Sequence, residues 1–131
     1  STIMGSSDIG ILLTSDVDGS AEGSEIFANT IRDNRNGGVV NEVFGVVMKD
    51  NTIGPLTANQ QNVGVWLKET AQGTLLENNR ILGNRDVDGV ACGAGTLCDL
   101  VNEGTNNAGR LNQFTPGFTP PPATHIVNAR G

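Results

Sequence analysis

The chain has no tyrosine, one tryptophan and four phenylalanines, so aromatic residues make up only 4% of it. A core cannot be built from rings here. It must come from Ile, Val and Leu, the residues that suit pleated, stacked strands. Clustered cations are also missing: the eight Lys and Arg are scattered and the net charge is −6. Neutralising nucleic-acid phosphates needs grouped cations, so nucleic acid is excluded as a partner and anionic membranes are disfavoured. No apolar run approaches the roughly 20 residues of a membrane helix, so no membrane insertion is expected. Ser1-Thr2-Ile3-Met4 carries neither a signal-peptide pattern nor an initiator Met, so the chain reads as processed or, preferably, as a piece of something longer.

Histidine occurs once, at His125, and no Gly-x-Ser-x-Gly elbow accompanies it. Nucleophilic catalysis has little to work with. The two cysteines, Cys92 and Cys98, read equally as a disulfide or as two small buried side chains. With a distant His125 they supply too few ligands for a transition-metal site.

What is abundant is glycine, 18 of 131 residues, roughly double the usual share. Tight turns must be frequent in what is, by length, one domain with a modest core. The main finding is a repeat. Ile26-Phe27-Ala28-Asn29-Thr30-Ile31, Met48-Lys49-Asp50-Asn51-Thr52-Ile53 and Leu76-Glu77-Asn78-Asn79-Arg80-Ile81 share an apolar residue, then Asn three positions on, then Ile two further, with the Asn residues 22 and 28 positions apart. Each is preceded by a Gly-apolar strand: Gly10-Ile11-Leu12-Leu13, Gly38-Val39-Val40 and Gly64-Val65-Trp66-Leu67. A fourth unit is read from Gly89-Val90-Ala91-Cys92, with Gly95-Thr96-Leu97-Cys98 echoing Gly73-Thr74-Leu75-Leu76 and Val101 standing where the Asn should be.

Short β-type runs at this period predict coils of two or three strands rather than helix pairs. Alternation along a strand puts Ile11, Leu13, Val65 and Leu67 inward, and Leu12, Trp66 and Lys68 outward. The recurrent Asn suits a corner, because Asn tolerates the left-handed region and bonds local backbone. Stacked, Asn29, Asn51 and Asn79 would form an amide ladder that satisfies buried polar groups.

Gly64-Val65-Trp66-Leu67 and Gly73-Thr74-Leu75-Leu76-Glu77-Asn78-Asn79-Arg80-Ile81-Leu82-Gly83-Asn84 resemble the right-handed parallel β-helix repeat of pectate-lyase-like and other carbohydrate-associated proteins. The resemblance spans roughly residues 9 to 101 and implies an all-β solenoid of three to four rungs over residues 1–101. Residues 102–131 are then an irregular, Pro-rich tail or cap, in which His125-Ile126-Val127-Asn128 reads as a final short strand. The same repeat serves lyases, hydrolases, epimerases, tailspikes and non-catalytic surface proteins, so it implies a fold rather than a reaction. Segments 16–24 and 54–62 read as loops on one flank.

Asp-Val-Asp-Gly occurs twice, making Asp16, Asp18, Asp86 and Asp88 candidate Ca²⁺ ligands. Calcium wants six to eight oxygens, and Asp before Gly is also ordinary turn chemistry. No other cofactor is indicated. Trp66, with Lys68 and Glu69 beside it, is the candidate carbohydrate-binding platform, since Trp joins a large apolar face to a donor. The alternative is that it packs beneath a loop or against another subunit. Asp50, Glu69 and Glu77 with Lys49, Lys68, Arg80 and Arg85 are outward charges from which a lyase-type site could be assembled, but no set of them is singled out as catalytic. The expectation is therefore a non-catalytic scaffold or adhesion segment at an extracellular or cell-surface location. It would form a homo-oligomer or join the remainder of a larger chain, with polysaccharide as a candidate partner. A polysaccharide-active enzyme is the alternative.

Overall fold

The computed structural model describes residues 1–14, 21–55 and 60–119. These form short strands and no helix. After β1 (Thr2–Met4) come β2 (Ile9–Leu13), β3 (Glu25–Phe27) and β4 (Thr30–Arg32). A second triplet follows, β5 (Gly37–Asn41), β6 (Val47–Lys49) and β7 (Thr52–Ile53), and a third, β8 (Val65–Leu67), β9 (Leu75–Glu77) and β10 (Arg80–Ile81). Next are β11 (Arg85–Asp86) and β12 (Thr96–Leu97), an antiparallel pair in an excursion. A last triplet closes the series: β13 (Leu100–Asn102), β14 (Ala108–Arg110) and β15 (Gln113–Phe114).

Strands in the same position of successive triplets pair in parallel. One sheet runs β1-β4-β7-β10-β15, a second β2-β5-β8-β13 and a third β3-β6-β9-β14, so the chain visits the three sheets in fixed rotation. No sheet closes on itself. Pairing in register stacks like on like: Ile3, Ile31, Ile53, Ile81 and Phe114 in one column, Ile26, Met48 and Leu76 in another, Ile11, Val39, Val65 and Leu100 in a third. The middle members of each column are buried and together form one core.

Glycine near the start of β2 and β5 and just before β8 has a steric reason. A Cβ at Gly38 would stand 2.7 Å from the Gly64 carbonyl oxygen, and one at Gly64 would stand 2.4 Å from the Asp99 carbonyl oxygen. Real Cβ atoms do not come that close, so the strands can approach here only without side chains. The Gly-apolar motif is thus a spacing device between neighbouring strands.

The repeat was misplaced in its fourth unit. Gly89 to Cys98 lies in the excursion, not in the stack, and Thr96 pairs antiparallel with Asp86 rather than parallel with the third sheet. The true fourth unit starts at Leu100, so Val101 lies opposite Trp66 and not in the Asn column. Nor does pairing stop at residue 101: β14 and β15 extend the third and first sheets within what was expected to be an irregular tail. His125 to Asn128 lie outside the described residues.

Candidate functional site

Four places gather polar chemistry: the corners, the Trp66 face, the excursion loop, and the line of Lys49, Glu77 and Arg110 on the third sheet.

At the corner between the third and first sheets, Asn29, Asn51, Asn79 and Asn112 stack. The backbone N–H of each donates to the side-chain Oδ1 of the next at 2.9, 3.0 and 2.9 Å. The amides also link side chain to side chain, Asn51 Nδ2 to Asn79 Oδ1 and Asn79 Nδ2 to Asn112 Oδ1, both at 3.0 Å. Their Nδ2 groups additionally reach back to the carbonyls of Ile26, Met48 and Leu76. The left-handed bend itself belongs to the residue before: Ala28, Asp50, Asn78 and Leu111 have φ of 55°, 59°, 54° and 60°. The Asn was expected to make the bend; instead it fills the space the bend opens. Asn112 was missed because 33 residues separate it from Asn79 and Phe replaces the following Ile.

A second ladder was not legible at all. Asn34, Gln61, Asn84 and Asp99 are buried and joined end to end at the corner between the first and second sheets. Its members differ in type and spacing, so no residue identity recurs to betray it. Asp99 ends it by accepting Asn84 on one oxygen and the Thr115 N–H on the other.

Trp66 lies on the outward face of the second sheet, in a column with Leu12, Val40 and Val101. Lys68 Nζ sits 3.5 Å from the centre of its ring, and its Nε1 donates to Glu103 Oε1 at 2.8 Å. Lys68 thus packs against Trp66, while the indole donor is held by Glu103 rather than Glu69, which is exposed. The ring face and the N–H that would meet a sugar are both engaged by the chain itself.

No family model, curated protein or solved structure matches the chain. The geometry alone must carry the functional reading.

The second Asp-Val-Asp-Gly copy opens the excursion. Asp86 is buried, and its carboxylate accepts the backbone N–H groups of Val90 (2.6 Å), Ala91 (2.7 Å), Cys92 (2.6 Å) and Gly93 (3.3 Å). Burial pushes this carboxyl up, but the Ala91, Cys92, Val90 and Gly93 donors together outweigh it and hold Asp86 below the usual carboxylate range. Cys92 and Cys98 are joined as a disulfide that staples the loop. The Asp86, Cys92 and Cys98 cluster thus offers no thiolate, and the Asp86 oxygens already face four donors. Asp88 points elsewhere, to Gln60, Asn62 and Arg35, and the Asn62 and Gln60 amides, then Arg35, hold its carboxyl low. Asp16 and Asp18 lie outside the described residues.

On the third sheet the register lines up Lys49, Glu77 and Arg110. Glu77 accepts Arg110 and lies 3.4 Å from Lys49 Nζ; the Arg110 bond is the chief reason its carboxyl is lowered. Asp50 accepts the Asn78 amide at 2.7 Å, and Arg85 donates to the Gly95 carbonyl. The charges considered for lyase chemistry are dispersed along the stack rather than gathered on one point.

Proposed function

We propose that this chain is a non-catalytic structural scaffold, a right-handed parallel β-helix in which each strand triplet forms one turn. The observation that carries the reading is that side chains capable of chemistry are bonded to the adjacent strand or to their own loop. Lys49, Glu77 and Arg110 pair along the stack, Trp66 is held by Lys68 and Glu103, and Asp86 closes a loop. The fixed rotation through three parallel sheets supports the helix, and right-handedness follows from the rule governing connections between parallel strands. A disulfide supports an oxidising, extracellular or cell-surface setting.

The first strands of the three sheets support self-association or attachment to a longer chain. No described strand pairs with their outer edges, and they carry Met4, Leu12 and Phe27 at 53%, 51% and 45% exposure. Covering such edges removes a pairing hazard. Carbohydrate contact is a secondary role at the Trp66 column, where a sugar would have to displace Lys68 from the ring.

The test is incubation with a panel of acidic and neutral polysaccharides, assaying unsaturated or reducing ends and retention on the immobilised polymer. A scaffold releases no ends from any of them. Turnover that is lost in Glu77→Gln or Lys68→Ala overturns the reading in favour of an enzyme.

A further inference from the structure

The ladder at the corner between the first and second sheets runs in one direction. Asn34 Nδ2 donates to Gln61 Oε1, Gln61 Nε2 to Asn84 Oδ1, and Asn84 Nδ2 to Asp99 Oδ1, at 3.3, 2.8 and 3.0 Å. The inner members accept from the turn before and donate to the turn after, which an amide side chain can do because it carries both groups. A carboxylate only accepts. Asp99 therefore has no donor to hand on, and its second oxygen is taken by the Thr115 N–H at 2.7 Å.

Thr115 opens a hook. Its hydroxyl oxygen accepts the Gly83 N–H at 2.7 Å, and its carbonyl accepts the Phe118 N–H at 2.9 Å, closing a turn over 115–118. Pro116 and Gly117 hold the two central positions, and Gly117 has φ of 92°, the Pro-then-Gly arrangement of a type II turn. The turn starts from the first sheet, where Phe114 ends the column of Ile3, Ile31, Ile53 and Ile81, and sends the chain toward the second. There Gly117 and Phe118 line a groove beside Leu97, Leu100 and Val101. The Phe114 and Phe118 rings lie 5.6 Å apart, and both pack against the core.

The core has a use for the second ring. Each sheet gives one inward side chain per turn: Val39, Met48 and Ile53, then Val65, Leu76 and Ile81. The last turn gives Leu100 and Phe114, but its third-sheet position is Gly109, which has no side chain. Phe118 brings an apolar group to this layer from outside the strands.

We propose that Asp99 and the 115–118 hook form a terminator, which ends the coil at this turn and keeps a second copy of the chain from stacking its first strands on β13, β14 and β15. The two devices act separately. Asp99 withholds the donor that a next ladder step needs, and the hook seats a ring over the end of the core. Copies that meet through their first strands then make an isologous contact, which closes, rather than a head-to-tail contact, which propagates. This inference rests on the parallel β-helix reading above, in which a second copy can continue the coil.

The test uses the full chain carrying Leu12→Cys and Val101→Cys, with and without Phe118→Ala. Leu12, Val40, Trp66 and Val101 share one column, so head-to-tail stacking sets Val101 of one copy beside Leu12 of the next. Adjacent strands place such Cα atoms about 4.8 Å apart, within disulfide range. After mild oxidation, 12–101 crosslinks between chains should be at least tenfold more abundant with Phe118→Ala than with Phe118, and should extend beyond dimers. Equal crosslinking in the two overturns the proposal. Phe118→Leu, which keeps an apolar plug, should crosslink no more than Phe118 itself. Because Phe118→Ala can unfold the chain, hydrogen exchange on the parent gives a readout that needs no variant. The Thr115 amide should exchange at least a hundredfold more slowly than an unprotected amide, and unprotected exchange there overturns the hook. Rapid exchange of 37–41 in the parent would instead point to failure of the β-helix reading.

Discussion

Replacing Asn79 with alanine removes an inner member of the all-Asn ladder, and its cost follows from the bonds lost. The Asn79 side chain accepts the N–H and the Nδ2 of Asn51, and donates to the Met48 carbonyl and to Asn112 Oδ1. Asn51, Met48 and Asn79 are essentially inaccessible to solvent, so water cannot replace these partners without entering the core. A buried polar group left unpaired costs about 1–3 kcal/mol, and several are orphaned together, so the total is about 3–5 kcal/mol. That is a large part of the about 5–15 kcal/mol that stabilises a typical domain. Asn29 is the internal control: it ends the ladder, its side chain has no partner among the described residues, and Asn29→Ala leaves its backbone bond to Asn51 in place. That variant should cost under about 1 kcal/mol. Urea unfolding followed by circular dichroism would show the Asn79→Ala midpoint falling by about 2 M, at a slope of about 2 kcal/mol/M, and the Asn29→Ala midpoint moving little. Equal shifts would mean that the ladder is not a stabilising unit.

Three further outcomes follow from particular contacts. Gly64→Ala pushes a methyl against the Asp99 carbonyl and Ile81, so it should destabilise by about 1–3 kcal/mol or more in the same assay. Ala28→Gly relieves a left-handed backbone that alanine adopts unwillingly and should raise stability by up to about 1 kcal/mol. The Asp86 carboxyl titrates below its unfolded value of about 4, so its ionised form favours the folded state above that pH and the contribution is lost as the pH falls further. Asp86→Asn should therefore cost about 1–3 kcal/mol at pH 6 and progressively less toward pH 3, read from urea midpoints at each pH.

What could be read from the sequence was whatever repeats in identity. Asn29, Asn51 and Asn79 were found because the same residue recurs at the same offset before Ile, and Gly10, Gly38 and Gly64 because only glycine allows the neighbouring strands so close. Alternation placed Val65 and Leu67 inside and Trp66 outside, which follows directly from the two-residue period of a strand. Positions defined by role rather than identity were hidden. Asn34, Gln61, Asn84 and Asp99 do one job with three residue types, and Asn112 follows an interval lengthened by the excursion. Gly95-Thr96-Leu97 misled because it copies the composition of a stacked strand inside a disulfide-closed loop, where tertiary connection overrides local pattern. At Trp66, strand alternation showed the outward indole but not its partner Glu103, which lies 37 residues away and reaches the indole only because β8 and β13 are neighbours.

The central claim is that successive triplets stack in parallel, one strand spacing apart, and methyl-to-methyl nuclear Overhauser contacts in isoleucine-labelled protein test it most directly. Ile31, Ile53 and Ile81 occupy one column in consecutive strands. Neighbouring strands lie about 4.8 Å apart. Strong contacts should join Ile31 to Ile53 and Ile53 to Ile81, with none from Ile31 to Ile81, about 10 Å away across the intervening strand. A direct Ile31 to Ile81 contact, or the absence of either neighbour contact, would contradict it.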